Sequence, residues 1–117
     1  MTRSFLRDKS KQFAKEIIYL CRDLKRLGVE MPVVNQLLRS GTSIGANIHE
    51  AQFAQSTKDF ISKLEIALKE CNECEYWLDL INETNEFNSI KLEQNKVSCV
   101  EIRKLLISSV KTLKEQE

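Results

Sequence analysis

Two cysteines three residues apart, Cys71 and Cys74, are the first side chains in this sequence whose spacing could support chemistry. A Cys-x-x-Cys pair is typical of zinc sites and of thiol–disulfide exchange, although redox pairs normally follow a strand that leads into a helix. Both thiols fall on the apolar seam of a continuous helical pattern, and the chain has one His and no second Cys-x-x-Cys pair. A metal site would need Cys21 and Cys99 to converge on the same layer. We therefore predict core cysteines, and we expect neither a metal nor any other cofactor.

His49 and Glu50 are adjacent, and together they suggest a general base. Neighbouring positions on a helix point about 100° apart, so the two side chains cannot act on one another directly. No motif places a Ser or Cys nucleophile beside them. We predict a solvated or interface His49 and a protein that is not an enzyme.

Basic residues are concentrated at the start of the chain. Residues 1–28 have a net charge of +5 and residues 59–101 a net charge of −6, whereas the whole chain has +1. The cations could contact phosphates, match an acidic surface of a neighbouring subunit, or belong to ordinary solvated faces. No aromatic platform lies between them, and those at the helix end also suit the helix dipole. The candidate phosphate contacts are Arg3, Arg7, Lys11, Lys15, Arg22, Lys25 and Arg26.

A charge-poor stretch between residues 31 and 57 carries only Arg39 and Glu50 as charged groups. Its apolar face includes Gly41 and Gly45, which each cost a helix roughly 1 kcal/mol and therefore indicate close approach of a neighbouring helix. Its opposite face is a polar stripe that another helix or subunit would bury. A buried guanidinium needs a partner, and Glu50 and Glu73 are the candidates. The stripe comprises Gln36, Arg39, Ser43, Asn47 and Glu50.

The elements that must position these residues are four helices. Apolar residues recur every three or four positions along nearly the whole chain, which predicts an all-α, antiparallel up-down-up-down bundle in one domain, residues 1–117. Gly28 fits a helix C-cap, Ser56 with Asp59 fits an N-cap, and Ser89 or Asn88 can cap the last helix. The predicted helices cover residues 8–27, 32–54, 57–82 and 89–114.

Localisation follows from two absences in the sequence. No apolar run approaches the ~20 residues of a membrane span, and the first residues lack the apolar core of a signal peptide. We therefore expect a cytoplasmic protein with free thiols and no membrane partner.

The third helix carries apolar residues away from its seam. Ile66 and Trp77 fall together on one flank, with Leu80 and Tyr76 nearby. This grouping favours a contact surface for self-association. The alternative is a bundle whose core extends unusually far around the helix.

One motif connects these features to a family. Residues 39–50 read Arg-Ser-x-x-Ser-Ile-x-Ala-Asn-Ile-x-Glu, and Asp59-Phe60 and Leu64-x-Ile66-Ala67 follow. This pattern resembles the small four-helix-bundle proteins encoded in intervening sequences of 23S ribosomal RNA genes, whose relatives include the accessory variability protein of diversity-generating retroelements. The resemblance covers residues 9–81.

The resemblance implies a non-enzymatic bundle assembled into a ring-like homopentamer. In the retroelement branch, it also implies binding of a reverse transcriptase and nucleic acid through a basic surface. Arg39, Ser43, Asn47 and Glu50 match the family's polar stripe, and Glu73 matches its acidic position on the third helix. This sequence departs from the family pattern at two places. On the third helix, the family has Gly-Ser where this chain has Lys69-Glu70. At the end of the motif, the family has Ala-Glu-Gly where this chain has His49-Glu50-Ala51.

We therefore predict a self-assembling adaptor or scaffold, with a role connected to RNA or a reverse transcriptase. The alternative is a protein that binds nucleic acid directly through its basic first helix. The predicted interface or buried polar residues are Arg39, Ser43, Asn47, Glu50, Glu73, Ile66, Trp77 and Leu80.

Overall fold

Four helices make up residues 3–87 and 89–116, which the computed structural model describes. No strand occurs within those residues, so the predicted all-α class is confirmed. None of these helices, within the same residues, has the apolar length that crossing a bilayer requires. Two predicted features lie outside the described part: Asn88 as a helix cap and the side chain of Arg3 as a phosphate contact. The helices are α1 (Arg3–Arg26), α2 (Met31–Ala51), α3 (Thr57–Thr84) and α4 (Ile90–Glu115).

The helix ends differ from the predicted ones by more than two residues at two places, and the other ends agree to within two residues. α1 begins five residues before the predicted start, because Leu6 and Ser10 continue its buried face toward the N-terminus. α2 ends at Ala51 rather than at residue 54, because the chain enters a turn there. α3 and α4 begin after capping serines, Ser56 and Ser89, whose hydroxyls accept backbone N–H bonds of 3.0 and 3.1 Å.

Gly28 terminates α1 with a positive φ of 83°. Its N–H donates to the carbonyl of Lys25 at 3.1 Å, and the next N–H, of Val29, donates to the carbonyl of Leu24 at 3.0 Å. These two bonds define a Schellman motif, which places Val29 against the end of the helix and buries it with Leu24. The chain therefore reverses within four residues and delivers α2 alongside α1.

Ion pairs between helices give their relative directions. Lys9 pairs with Glu101 and Asp23 with Lys91, each at 2.8 Å, so α1 and α4 run antiparallel. Glu65 pairs with Lys114 at 3.0 Å and Asp79 with Lys96 at 2.5 Å, so α3 and α4 do the same. Each helix packs against two neighbours, and α1 and α3 occupy diagonal corners. This arrangement is compatible with the predicted up-down-up-down bundle, and it measures 48 × 20 × 19 Å.

All four cysteines are buried, free thiols. The Sγ atoms of Cys71 on α3 and Cys99 on α4 lie 3.7 Å apart, and each thiol donates to the other residue's carbonyl. The hydrogen bond to Cys99, together with burial, raises the pKa of Cys71, and burial raises that of Cys21 to about 11. Thiols in this state are poor nucleophiles. No group of three His, Cys, Asp or Glu side chains in the described ranges is arranged to hold a metal ion.

α1 and α2 approach each other most closely at the two glycines of α2. A Cβ atom on Gly41 would lie 2.8 Å from Cγ2 of Ile17, and one on Gly45 would lie 3.1 Å from the backbone oxygen of Ser10. Ile17 and Ser10 are both fully buried, so neither can move aside freely. The neighbouring helix expected from the glycine spacing is therefore α1.

Replacing Gly41 with Ala should lower the free energy of unfolding by about 1 kcal/mol. The gain in helix propensity, about 1 kcal/mol, is outweighed by overpacking against Ile17, about 1–3 kcal/mol. Urea denaturation measures the difference.

The matched control is the same substitution in an Ile17→Ala background. That change removes Cγ2 and Cγ1, the two nearest of the three carbon atoms that the new methyl group would meet, and leaves Cβ at 3.3 Å, so Gly41→Ala should there be neutral or stabilising. An equal loss of stability in both backgrounds would mean that the glycine serves some purpose other than close packing.

Candidate functional site

The polar stripe of α2 is held largely by its own helix. The Ser43 hydroxyl donates to the carbonyl of Arg39 at 2.6 Å, and the Asn47 amide donates to the carbonyl of Ser43 at 2.8 Å. Both side chains are half-buried. Because both side chains donate one turn back along α2, these hydrogen bonds are made within the helix rather than to a neighbouring one.

Arg39 is the residue of the stripe that reaches another helix. Its Nη1 donates to Glu70 Oε2 at 2.8 Å, its Nη2 donates to Glu73 Oε1, and its Nε donates to Gln36 at 3.2 Å. The Arg39 side chain is 45% exposed, while that of Glu70 is only 14% exposed. One guanidinium thus joins α2 to two carboxylates of α3.

Of the two candidate partners for Arg39, Glu73 is found and Glu50 is not. Glu50 lies exposed three turns further along α2, too far to meet the same guanidinium. The sequence analysis did not identify Glu70 as a partner of Arg39. Glu70 lies at one of the two positions of α3 where the family pattern has small residues. The available signal was the three-residue spacing of Glu70 and Glu73, which puts two carboxylates on one face of α3.

Arg39 and Glu73 each stabilise the charged form of the other. The hydrogen bond to Arg39 holds the pKa of Glu73 below its ordinary value, and the bond to Glu73 raises the pKa of Arg39. The indole Nε1 of Trp77 donates to the same Glu73 oxygen at 3.3 Å. Glu73 therefore fixes the positions of both the guanidinium and the indole.

The flank of α3 beside this cluster is partly exposed. Ile66 is 41% and Tyr76 58% exposed, whereas Trp77 and Leu80 are half-buried, and Trp77 packs against the edge of the core. The Tyr76 and Trp77 rings meet edge to face, 5.0 Å between centroids. The core extends to Trp77, and an apolar surface remains exposed beyond it, whose role in self-association stays a prediction. In the single chain that surface and the α2 stripe are at the solvent boundary.

The negative charge of α3 is largely neutralised inside the bundle. Its carboxylates pair with cations on both neighbouring helices. Besides the bonds to Arg39, Glu75 pairs with Arg103 at 3.3 Å, and Glu65 and Asp79 pair with lysines of α4. The net charge of −6 in residues 59–101 therefore does not produce an equally acidic surface.

The cations of α1 behave differently. Lys11, Lys15, Arg22 and Lys25 are exposed, and none of the ion pairs among the described residues involves them. With Arg7 they fall within about 80° of the helix circumference and extend about 27 Å along its axis. We call these five residues the α1 ridge. The guanidinium of Arg22 also lies 5.9 Å from the ring centre of Tyr19.

Two basic residues beside the ridge, Lys9 and Arg26, and one residue of the ridge, Arg7, have acidic partners. Arg26 binds Asp23, Lys9 binds Glu101 at 2.8 Å, and Arg7 contacts Asp8 at 3.2 Å. Of the predicted phosphate contacts, Arg26 is thus neutralised, Arg7 is partly neutralised, and four remain uncompensated.

A cleft of about 590 Å³ lies between α1 and α2 beside the N-terminal part of the ridge. Three small residues, Ala14, Gly45 and Ala46, belong to its lining, and α1 and α2 are close together at Gly45. Its remaining lining is polar or charged, and it includes Arg7 and Lys11 of the ridge. The other lining residues are Asp8, Thr42 and His49.

The fold and these surfaces define a small helical-bundle protein with a one-sided cationic helix and no assembled catalytic group among its described residues. Residues 5–108 match the model of a family described as 23S rRNA-intervening sequence proteins. The chain belongs to this family, as the resemblance of residues 39–50 predicted, and no catalytic family is indicated.

A solved relative supports the fold. This relative is a protein of unknown function from the S23 ribosomal protein family of Bacteroides thetaiotaomicron VPI-5482, and its crystal structure has a resolution of 1.70 Å. Its sequence is 50% identical to that of this chain. The match covers 91% of this chain and 98% of the other, with a TM-score of 0.85. No curated protein matches the chain.

Arg39→Ala should lower the free energy of unfolding by about 1 kcal/mol at neutral pH, since it removes a half-exposed ion pair and leaves Glu70 mostly buried. Glu50→Ala, which removes an exposed carboxylate from the same helix, should change it by less than about 0.5 kcal/mol. Thermal or urea melts give both values. Equal effects would contradict the observed pairing.

The effect of Arg39→Ala should also depend on pH. Because the pKa of Glu73 is lowered in the folded state, its contribution is present above the ordinary carboxyl pKa of about 4.3 and is lost as pH falls through the lowered value. The difference between wild type and variant should shrink on acidification. A difference that grows toward low pH would exclude a stabilising carboxylate.

Proposed function

We propose that this protein is a non-enzymatic nucleic-acid-binding module that holds a phosphate backbone along the α1 ridge. The observation that carries the proposal is the alignment of Lys11, Lys15, Arg22 and Lys25 without acidic partners. Phosphates recur every 3.4 Å along one strand of a duplex, so a ridge of about 27 Å can run beside several of them.

We now favour direct binding of nucleic acid, which the sequence analysis gave as the alternative to a self-assembling scaffold. The net charge of −6 in residues 59–101 would by itself be expected to repel a phosphate backbone. That objection weakens because α3 occupies the diagonal corner from α1 and its carboxylates pair with cations of α2 and α4. A near-neutral protein can thus present one cationic face.

RNA is the class of nucleic acid that we propose to test first. The family's description refers to intervening sequences of 23S ribosomal RNA, and the similar Bacteroides protein is assigned to a ribosomal protein family. Lysine and arginine contacts to phosphates carry no sequence information by themselves, so the ridge alone would bind without sequence preference.

Self-assembly as an adaptor or scaffold is the second candidate, and the surface of α3 favours it. Tyr76, Trp77 and Arg39 are of the residue types that dominate protein interfaces, and Ile66 extends the apolar area. This surface lies away from the α1 ridge, so assembly and nucleic-acid binding are compatible. The ring of five and a reverse-transcriptase partner come from the family resemblance.

Binding through the ridge should depend steeply on salt. Four contacts to single-stranded RNA predict a loss of affinity of about 50-fold between about 50 and 200 mM salt, because each neutralised phosphate releases counterions. Fluorescence anisotropy with a labelled oligonucleotide measures this slope. Lys15→Glu/Arg22→Glu should abolish binding at every salt concentration.

Lys104→Glu/Lys111→Glu is the matched control, because it makes the same change of charge on exposed positions of α4. It should keep most of the affinity. Equal losses in both double variants would mean that net charge, rather than the α1 ridge, determines binding.

Self-association is tested by light scattering. The protein should have a mass several times 13.6 kDa, and Ile66→Glu should reduce it by placing a charge in the apolar interface. Ile107→Glu is the control, since Ile107 on α4 is similarly exposed and lies away from the α2–α3 surface. A monomeric wild-type protein, or dissociation by Ile107→Glu alone, would refute assembly through this surface.

A further inference from the structure

Phe53 is the most exposed of the large apolar side chains in the described part of the chain, at 72%. It follows the end of α2, and its ring lies 5.3 Å from the ring of His49, centre to centre, at an interplanar angle of 62°. The exposed faces of these two rings form an aromatic surface that the bundle core does not use.

The backbone around Phe53 is held in place. Its N–H donates to the carbonyl of Glu50 at 3.1 Å, and the N–H of Gln52 donates to the carbonyl of His49 at the same distance. The Gln52 amide also donates to the carbonyl of Ile48 at 3.1 Å. Phe53 is therefore an exposed aromatic side chain on an ordered turn, which reduces the entropy lost when a flat ligand stacks on it.

This aromatic pair adjoins the cleft between α1 and α2. His49 lines the cleft, and Arg7 and Lys11 of the ridge line it as well. The volume of about 590 Å³ falls within the range of small-molecule pockets, about 300–1,000 Å³. Asp8 is the one acid in the lining, and it already contacts the Arg7 guanidinium at 3.2 Å.

We infer that the cleft and Phe53 together accept one unstacked nucleotide of a single-stranded nucleic acid. Its phosphate lies against Lys11 and Arg7, and its base stacks on the exposed ring of Phe53, with one edge toward His49. This inference rests on the proposed function and narrows its substrate class, because a base within a duplex is already paired and stacked and cannot reach the rings.

Small residues make this geometry available. Gly45 and Ala46 on α2 and Ala14 on α1 add little side-chain bulk to the lining, so a sugar and phosphate can enter beside Arg7 and Lys11. The Thr42 hydroxyl in the same lining donates to the carbonyl of Leu38 at 2.7 Å, which leaves its oxygen available as an acceptor. The ridge then continues from this cleft along α1, so the strand on either side of the bound nucleotide meets further cations.

The test compares an oligoribonucleotide with its duplex by fluorescence anisotropy at one low salt concentration. We expect the single strand to bind about tenfold more tightly, within the range that base–aromatic stacking provides. Phe53→Leu, which keeps an apolar side chain but removes the ring, should weaken single-strand binding by about tenfold and leave duplex binding unchanged. Phe53→Tyr should restore the preference.

The outcomes separate this inference from the proposed function. Equal affinity for single strand and duplex, with Phe53→Leu unchanged and Lys15→Glu/Arg22→Glu inactive, overturns the inference and keeps the ridge. Failure of both nucleic acids to bind at low salt overturns the proposed function and the inference with it. A free nucleoside monophosphate provides a further arm: binding as tight as that of the oligonucleotide identifies a site for free nucleotides and overturns the strand assignment.

Tryptophan fluorescence of a Phe53→Trp variant tests base stacking at position 53 directly. The chain has one Trp, Trp77, on α3, so the wild-type protein supplies the fluorescence background. Emission from the new indole should be quenched on titration with the single strand while that of the wild type stays constant. Binding without any quenching would contradict stacking at residue 53.

Discussion

The close contact between α1 and α2 is the constraint on which the rest of this structure depends. At Gly41 and Gly45 the space for a side chain is already occupied by Ile17 and by the backbone of Ser10. Any larger residue would push α1 outward and change its position relative to both α2 and α4. One of these two glycines, Gly45, also lines the adjoining cleft.

Ion pairs between helices, rather than the net charge of each sequence segment, determine which surfaces of this bundle are charged. The carboxylates of α3 look like an acidic region in the sequence, yet Arg39, Arg103 and two lysines of α4 neutralise them. The cations of α1 have no such neighbours over most of their length, because the helix facing them diagonally is out of reach. A formal charge of +1 therefore describes the whole chain correctly and its surface poorly.

Periodicity was sufficient to predict four helices and the close approach at the glycines, and the motif in residues 39–50 was sufficient to predict the family. It failed at the start of α1, where Leu6 and Ser10 continue the buried face, and at the end of α2, which was extended over Phe53. The shared face of the ridge follows from helical spacing alone. Whether its cations are neutralised depends on the registers of α2, α3 and α4, which single-sequence patterns do not supply.

The partner of Arg39 illustrates the same limit. Glu50 lies on the same helix and was a natural candidate, but a guanidinium is satisfied by whichever carboxylates the adjacent helix presents at its level. Glu70 and Glu73 hold that position on α3. The exposure of Phe53 was likewise invisible, because an apolar residue within a periodic pattern is ordinarily assigned to the core.

The central claim is that nucleic acid contacts α1 and the adjoining cleft rather than the paired acidic face. Ultraviolet cross-linking of an oligonucleotide containing 4-thiouridine, followed by mass spectrometry of the digested protein, locates the contact directly. The account predicts cross-links within α1 and at the turn that carries Phe53. Cross-links confined to α3 and α4, or none at low salt, would contradict it.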